Sequence, residues 1–244
     1  MNDDQSVSII IPAFNEQGNI DAAIDSVLKS VEGLTEDYEI IVIDDGSVDQ
    51  TAAFAQKRAA RNSRVKVFSN QGNQGFGYTF KRGVGLAAKE YVTIFPGDND
   101  MSFDSLRDLI KERGAIDLVI THSVSGHRRS LLRRALSKTF VLVMNFLFGL
   151  NLKYYNGAFI CRTRVLQSIP LESNSLAALA ECIVRLIKSG YSYKSIAFEH
   201  TGRKSERSKA ITLKSFISVG KTVFILMRDV YSKSQYKQKV SCLT

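Results

Sequence analysis

Residues 39–47 read EIIVIDDGS, a short apolar run that ends in two carboxylates, and this stretch decides the fold. Two other runs have the same form, SIIIPAFNE over residues 8–16 and YVTIFPGDND over residues 91–100. Because each run is short and rich in β-branched residues, each is predicted to be a buried strand of a mostly parallel sheet. Ligands of such sheets bind outside the carboxyl ends of the strands. Carboxylates gathered there usually hold a cation or hydroxyl groups, since grouping unpaired charges is costly.

The first half of the chain alternates predicted strands and helices. Helices are expected from residues 15–16 to about 30, from a cap at 47–49 to about 60, from 75–77 to about 89, and over 102–113. Further strands are expected over residues 65–68, 92–95 and 117–120. This order predicts an α/β fold with a doubly wound, mostly parallel sheet flanked by helices.

The second half contains two apolar or amphipathic segments. Residues 140–150, FVLVMNFLFGL, form a run too short to span a membrane, which takes about 20 residues. This run is predicted to be either a core helix or an interfacial helix, and the arginines before it favour an anionic membrane surface. Residues 212–230 predict a second amphipathic helix, in which Lys214, Lys221 and Arg228 share a face because they recur every seven residues.

Charge divides the chain in a similar way. The formal net charge is +9, but residues 1–117 carry −7, while residues 118–171 and 201–244 carry +8 each. This asymmetry indicates an anionic partner for the second half, such as phosphate, an anionic lipid or nucleic acid; a merely solvated basic surface is the alternative. The three cysteines have neither metal-ligand spacing nor the pattern of a disulfide framework, which favours a reducing compartment.

The turn after the first strand excludes a common nucleotide-binding fold. A Rossmann dehydrogenase needs G-x-G-x-x-G there, but residues 12–16 read PAFNE, without glycine. A P-loop needs G-x-x-x-x-G-K-[ST], which the sequence lacks. A nucleotide-sugar site built from carboxylates and a cation fits the sequence best.

Four segments carry a resemblance to a known family: IPAFNE (11–16), IDDGSVDQT (43–51), NQGFG (73–77) and GDND (97–100). In their order and spacing they resemble family 2 glycosyltransferases with the GT-A fold, over about residues 6–121. Within this family the chain is similar to the dolichyl-phosphate mannose synthase branch and its bacterial relatives. Weaker matches in the second half are NGAF (156–159), AECIVR (180–185) and RKSERSK (203–209).

The resemblance implies a GT-A domain over residues 1–210, with a nucleotide-binding half (6–121) and an acceptor half (122–210), followed by a basic amphipathic helix and tail (211–244). The nucleotide-sugar site that it implies is formed by Pro12, Phe14, Glu16, Asp44, Asp45, Gly46, Gly75, Gly77 and Asp98. Glu16 is expected to accept hydrogen bonds from the ribose and Asp45 from the base, while Gly75 and Gly77 let the backbone approach the nucleotide. Turn formation at Asp-Gly is a simpler role for Asp44 and Asp45 that does not exclude binding.

Asp98 and Asp100 are the expected ligands of Mg²⁺ or Mn²⁺. A nucleoside diphosphate leaves only when its negative charge is neutralised, typically by such a cation on carboxylate oxygens. One residue separates the two aspartates, so both can reach one cation if the backbone forms a turn. The family commonly carries Asp-x-Asp here, and an ungapped alignment puts Pro96 at the first of these positions. Capping of the next helix is the alternative role for Asp100.

Basic residues of the second half are expected to contact phosphate or the acceptor. Arg203 and Lys209 resemble the phosphate clamp of the family, and Glu206 of this chain stands where that motif has a glycine. Arg133 or Arg134 would add a diphosphate contact, since arginine binds phosphate in a bidentate manner. The alternative for these two arginines is a membrane-surface charge.

Glu181 and Asp98 are the predicted catalytic residues, and Glu181 is assigned by resemblance alone. A hydroxyl acceptor needs a general base, and Glu181 is the first candidate for that role. A polyprenyl phosphate is already an anion and needs no base, in which case Glu181 orients other groups. An ordinary solvated glutamate on a helix face is the alternative.

The combined prediction is an inverting, metal-dependent glycosyltransferase. Its expected partners are a nucleoside-diphosphate sugar, a lipid-phosphate or glycan acceptor, and an anionic membrane surface. We expect it in the cytoplasm, peripherally associated with the cytoplasmic face of the membrane. The alternatives are the same fold acting on a saccharide or small-molecule hydroxyl, and a non-catalytic nucleotide-sugar-binding membrane partner. Nucleic acid is not expected, because no aromatic-rich basic platform appears.

Overall fold

The chain alternates strands and helices along most of its length in a computed structural model that describes residues 5–124, 131–201 and 213–232. The strands are β1 (Val7–Ala13), β2 (Tyr38–Asp44), β3 (Val65–Ser69), β4 (Tyr91–Ile94), β5 (Leu118–Ser123), β6 (Phe159–Arg162) and β7 (Tyr193–Phe198). The helices are α1 (Ile20–Val31), α2 (Thr51–Ala59), α3 (Phe76–Leu86), α4 (Phe103–Lys111), α5 (Leu131–Phe148), α6 (Thr163–Ser168), α7 (Ala178–Lys188) and α8 (Leu213–Tyr231).

The described strands form one sheet in the order β3-β2-β1-β4-β6-β5-β7. Only β6 runs antiparallel to its neighbours, β4 and β5, and the other pairs are parallel. The predicted fold class, a mostly parallel α/β sheet flanked by helices, is therefore confirmed. In the central register Ala13 pairs with Asp44 and Ile10 pairs with Ile94, so β1, β2 and β4 end near one edge of the sheet.

Both faces of the sheet are covered by helices, which explains the uninterrupted apolar runs. Ile10 and Ile41 belong to a core on one face, whereas Ile9, Ile11 and Ile40 belong to a core on the other. Successive side chains of a strand point to opposite faces, so a strand buried on both sides needs apolar residues at every position.

The helix predicted from residues 15–16 begins later, at Ile20, and this part of the prediction is wrong. Asn15 adopts a left-handed backbone conformation, with φ of 55°, which ends the extended run without starting a helix. Its amide donates to Ser47 Oγ (2.9 Å), and its side-chain oxygen accepts from the Val48 amide (2.9 Å). Residues 15–19 therefore form a loop that is joined to the loop after β2.

Helix α5 has a buried and an exposed apolar face, so residues 140–150 pack in the core on one side, while contact of the other side with a membrane stays a prediction. Met144 and Phe148 are fully buried in the core, while Leu142 and Phe146 are 69% and 87% exposed on the opposite side. Helix α8 has the same character and packs on α7. The division of the chain at residue 210 stays a prediction.

The buried carboxylate of Glu39 lies near the start of β2, at the opposite end of this strand from Asp44 and Asp45. Glu39 accepts hydrogen bonds from Ser8 Oγ (2.7 Å), the Ala88 amide (2.8 Å) and Lys66 Nζ (2.6 Å). Burial by itself raises the pKa of Glu39, but the hydrogen bonds from Lys66, Ala88 and Ser8 outweigh it and leave the pKa lowered. The ionised carboxylate therefore stabilises the folded state.

Replacing Glu39 by Gln is expected to lower the free energy of unfolding by about 1–3 kcal/mol at neutral pH, because buried donors lose a charged acceptor. Since the folded-state pKa is lowered, this stabilisation is present above the pKa of the unfolded chain and is lost as the pH falls through the folded-state pKa. Urea unfolding across the acid range tests this, with the exposed Glu36→Gln as the control. A difference between wild type and Glu39→Gln that does not change with pH would contradict it.

Candidate active site

Three loops meet at the carboxyl ends of β1, β2 and β4. The Asp45 amide donates to Ala13 O (2.8 Å), which joins the first two loops. A Cβ on Gly97 would lie 2.6 Å from Pro12 O, so the third loop packs against the first at a distance that only glycine permits. The carboxylates that the sequence predicted at strand ends are thus brought to one edge.

The two aspartates at the carboxyl end of β2 hold the surrounding loops. The buried Asp45 accepts from Asn70 Nδ2 (2.7 Å) and from the amides of Gln74 and Gly75 (2.9 Å each). The Ser47 amide lies 3.3 Å from both oxygens of the buried Asp44, across a turn in which Gly46 has φ of +70°. The turn-forming role is therefore present, and nucleotide binding by Asp44, Asp45 and Gly46 stays a prediction.

Pro12, near the end of β1, and Phe14 and Glu16, on the loop after it, are half-buried. Glu16 Oε2 accepts from Asn19 Nδ2 (2.8 Å), and the Glu16 amide donates to Thr51 Oγ1 (2.7 Å). These contacts fix the loop at the carboxyl end of the parallel strands, where the Asp45 amide bonds Ala13 O. Contacts of this loop with a nucleoside stay a prediction.

The glycines before and within α3 approach another part of the chain. Gly75 has φ of +92°, and the Gly77 amide donates to Asn174 O (3.1 Å). A Cβ on Gly77 would lie 2.4 Å from Ser173 O. The close backbone approach that the sequence assigned to a nucleotide is made here to residues 173–174, a contact that no local sequence pattern could reveal. A nucleotide contact of these glycines stays a prediction.

Asp98 and Asp100 lie on a turn, as joint coordination of one cation requires. The Asn99 amide donates to Pro96 O (3.0 Å), Asn99 has φ of 54°, and Asp98 Oδ1 accepts from the Asp100 amide (3.2 Å). The alternative role of Asp100 as a helix cap is wrong. Ser102 is the N-cap of α4, where its Oγ accepts from the Ser105 amide (3.2 Å).

His200 is a site residue to which the sequence assigned no role. Its Nδ1 lies 2.9 Å from Asp100 Oδ2 and 3.2 Å from Asp100 O, and its ring packs edge-on against Phe198. The only indication in the sequence was its position two residues after β7, because that strand is parallel to β5 and ends at the same edge. A hundred residues separate it from Asp100, so no spacing pattern could reveal the pair.

A cavity of about 470 Å³ extends from this turn into the second half of the chain. One end is polar and contains Asp98, Asp100 and His200. The walls of the rest are mostly apolar and include Phe76, Tyr154, Leu176, Leu179, Leu136 and Phe140 of α5, and Val219 of α8. Such a cavity suits a ligand with one charged end and one apolar end.

The polar end offers a partial donor set for a divalent cation. Carboxylate oxygens and an imidazole nitrogen line one cavity, which fits Mn²⁺ or Mg²⁺ with remaining positions filled by phosphate or water. Among the described residues, no group of three or more His, Cys, Asp or Glu side chains is arranged to hold a metal ion.

Glu181 is only 1% exposed. The alternative interpretation of this residue, an ordinary solvated glutamate on a helix face, is therefore wrong. Its carboxylate accepts from the amides of Glu172 (3.1 Å) and Ser173 (2.8 Å) and from Arg185 Nε (2.9 Å). It does not line the cavity. Its roles as general base or as an orienting residue both stay predictions.

Of the four basic residues that the sequence assigned to phosphate or the acceptor, only Arg134 has a side chain in the described part of the structure. Arg134 is half-buried near the start of α5, two residues before the cavity-lining Leu136. Arg133 belongs to the same helix, and its side chain lies outside the described part of the structure, as do Arg203 and Lys209. The phosphate contacts of these four residues stay predictions.

Comparison with known proteins identifies the family. Residues 8–169 match the model of glycosyl transferase family 2, and the chain belongs to that family. It is 29% identical over 208 residues to the putative glycosyltransferase CsbB of Bacillus subtilis, covering 83% of this chain and 61% of that protein. It is also 29% identical over 150 residues to the dolichyl-phosphate beta-glucosyltransferase of Dictyostelium discoideum, covering 53% of this chain and 45% of that one. The chain therefore spans about half the length of these relatives.

Solved structures agree with the fold. Glucosyl-3-phosphoglycerate synthase from Mycobacterium tuberculosis, in complex with Mn²⁺, UDP and glucosyl-3-phosphoglycerate, superposes with a TM-score of 0.66. The match covers 93% of this chain and 80% of that chain at 19% sequence identity. At this identity the likeness establishes the fold alone.

The close approach of Gly77 to the backbone of residues 173–174 can be tested by substitution. Gly77→Ala is expected to lower the free energy of unfolding by about 1–3 kcal/mol, because its methyl group would collide with the backbone of residues 173–174. Gly85→Ala in the same helix has open space around it and should stabilise the protein by about 0.5–1 kcal/mol. Chemical denaturation of both variants measures the difference, and equal effects would contradict the assigned contact.

Proposed function

We propose that this chain transfers a sugar from a nucleoside-diphosphate sugar to a polyprenyl phosphate at a membrane surface. The observation that carries the proposal is one cavity that is lined both by the cluster of Asp98, Asp100 and His200 and by apolar residues of α5 and α8. A diphosphate with its cation suits the charged cluster, and the first isoprene units of a lipid suit the apolar lining. Membership of glycosyl transferase family 2 supports the transfer chemistry.

The proposed reaction is a single displacement with inversion. The acceptor oxygen attacks the anomeric carbon from the side opposite the diphosphate, a new C–O bond forms, and the bond to the diphosphate breaks. When bound, Mg²⁺ or Mn²⁺ would neutralise the charge of the leaving diphosphate. Asp98 and Asp100 would hold that cation, and the ordered turn at Asn99 fixes their spacing.

A phosphate acceptor suits the state of Glu181. Both of its oxygens already accept hydrogen bonds in a buried position, so it is poorly placed to take a proton from an acceptor. A phosphate nucleophile is already anionic and needs no general base. The names of relatives support a polyprenyl acceptor, since one is a dolichyl-phosphate beta-glucosyltransferase. A glycan hydroxyl is the alternative, and another relative is a glucosyltransferase named for a GalNAc(5)-diNAcBac-PP-undecaprenol substrate.

The outer faces of α5 and α8 supply the proposed membrane contact. On α5 the exposed apolar residues are Leu142, Val143 and Phe146, and on α8 they are Ile217, Phe224 and Tyr231. Lys138, Lys221 and Arg228 are exposed on the same helices, and this combination of apolar and basic side chains is typical of interfacial helices on anionic lipid. No helix in the described ranges is both long and apolar enough to cross a membrane. Location at the cytoplasmic face stays a prediction.

The donor site is tested by calorimetric titration with UDP-, GDP- and dTDP-sugars, with and without Mn²⁺. One nucleotide is expected to bind in a metal-dependent manner, and Asp98→Asn should weaken that binding at least about tenfold, or about 1.4 kcal/mol. Asp108→Asn, an exposed aspartate on α4, is the matched control and should bind as wild type does. If none of the three nucleotide sugars binds, with or without Mn²⁺, the proposed donor site is overturned.

The membrane face is tested by sedimentation with vesicles that contain anionic phospholipid. The double variant Phe146→Glu and Phe224→Glu should bind at least about tenfold more weakly, because it removes apolar insertion and adds charge repelled by the lipid. Val48→Glu, which alters a 91% exposed residue on the loop after β2, is the control and should bind like wild type. Equal binding by all three proteins would argue against the assigned face.

A further inference from the structure

A buried ionic network joins α7 to α8. Arg185 is 2% exposed, and its Nε lies 2.9 Å from Glu181 Oε1 while its Nη2 lies 2.8 Å from Asp229 Oδ2 on α8. The exposed Arg228 adds a second cation at the solvent side of the network, with its Nη2 2.8 Å from Asp229 Oδ1. Desolvation raises the pKa of Asp229, but the hydrogen bonds from Arg185 and Arg228 outweigh it and lower the pKa, which keeps this carboxylate ionised.

Such a network contributes little net stability but demands one arrangement of its partners. Desolvating buried charges costs roughly what their attraction returns, whereas removing a single partner leaves an uncompensated charge. The network therefore fixes the position at which α8 docks on α7. It does not line the cavity, so it would act on a ligand only through other residues.

The segment from Glu172 to Ala177 connects this network to the cavity. Glu181 accepts from the amides of residues 172 and 173, and Ser173 Oγ shares a hydrogen bond of 2.9 Å with Thr222 Oγ1 of α8. Further along the segment, Asn174 O accepts from the Gly77 amide, and the segment ends at two cavity-lining residues, Leu176 and Ala177. One short segment thus contacts α7, α8 and α3 and then forms part of the cavity wall.

We propose that Arg185, Asp229 and Thr222 are positioning residues that set the acceptor end of the cavity through the 172–177 segment. Helix α8 contributes Val219 to the same cavity and carries the proposed membrane face on its outer side. The docking of α8 therefore also fixes where the cavity lies relative to the membrane surface. The assignment of this end to the acceptor rests on the proposed function.

The test compares Thr222→Val, which keeps the side-chain shape and removes the hydroxyl, with Thr222→Ser, which keeps the hydroxyl. Asp229→Asn breaks the network, and Glu90→Gln breaks the Arg162–Glu90 pair away from the cavity as a control. Amide hydrogen exchange over residues 172–177, farnesyl phosphate binding, nucleotide binding and melting temperature are measured for each. The exchange and melting measurements require no substrate.

Thr222→Val and Asp229→Asn are expected to speed exchange over residues 172–177 and to weaken farnesyl phosphate binding at least about tenfold, because each disrupts contacts that hold this segment against α7 and α8. Nucleotide affinity should be retained, and Thr222→Ser and Glu90→Gln should resemble wild type in exchange over this segment. Unchanged exchange in both variants, or an equal loss of farnesyl phosphate and nucleotide binding, would overturn the inference. If wild type binds no farnesyl phosphate while exchange responds as expected, the assigned acceptor fails and the positioning of the segment stands.

Discussion

The parallel register of β1, β2 and β4 is the constraint on which the site depends. Because Ala13 pairs with Asp44 and Ile10 with Ile94, the loops that follow these strands emerge at one edge. Each strand is buried on both faces, so slipping any one of them by a residue would turn apolar side chains to the wrong core. The position of the carboxylates is thus set by the packing of isoleucines and valines some distance away.

The second half completes this edge with elements that arrive from far along the chain. β6 inserts antiparallel between β4 and β5, and β7 brings His200 back to Asp100. Helices α5 and α8 then extend the site away from the carboxylates into an apolar cavity. One edge of the sheet therefore combines a region suited to phosphate and cation with a region suited to lipid, and both lie beside the exposed basic helices.

Local patterns in the sequence predicted the fold and the strand-end carboxylates, because buried strands and turn residues follow short-range rules. The length of the 15–19 loop, the contact of Gly77 with residues 173–174 and the pairing of His200 with Asp100 depend on residues up to a hundred positions apart. The burial of Glu181 was also beyond the sequence, since two of its three hydrogen-bond donors come from a loop, and the third, Arg185, also pairs with Asp229 of α8. Patterns within one sequence do not show which residues far apart in the chain come into contact.

Turnover with a lipid acceptor tests the proposed sugar transfer to a polyprenyl phosphate. The protein would be incubated with Mn²⁺, the nucleoside-diphosphate sugar that it binds, and a polyprenyl phosphate in anionic vesicles, and the masses of the lipid products would be determined by mass spectrometry. We expect a glycosyl polyprenyl phosphate whose formation requires both the cation and the ionised lipid phosphate. Transfer to a glycan hydroxyl with none to the lipid phosphate, or no transfer to either, would contradict it.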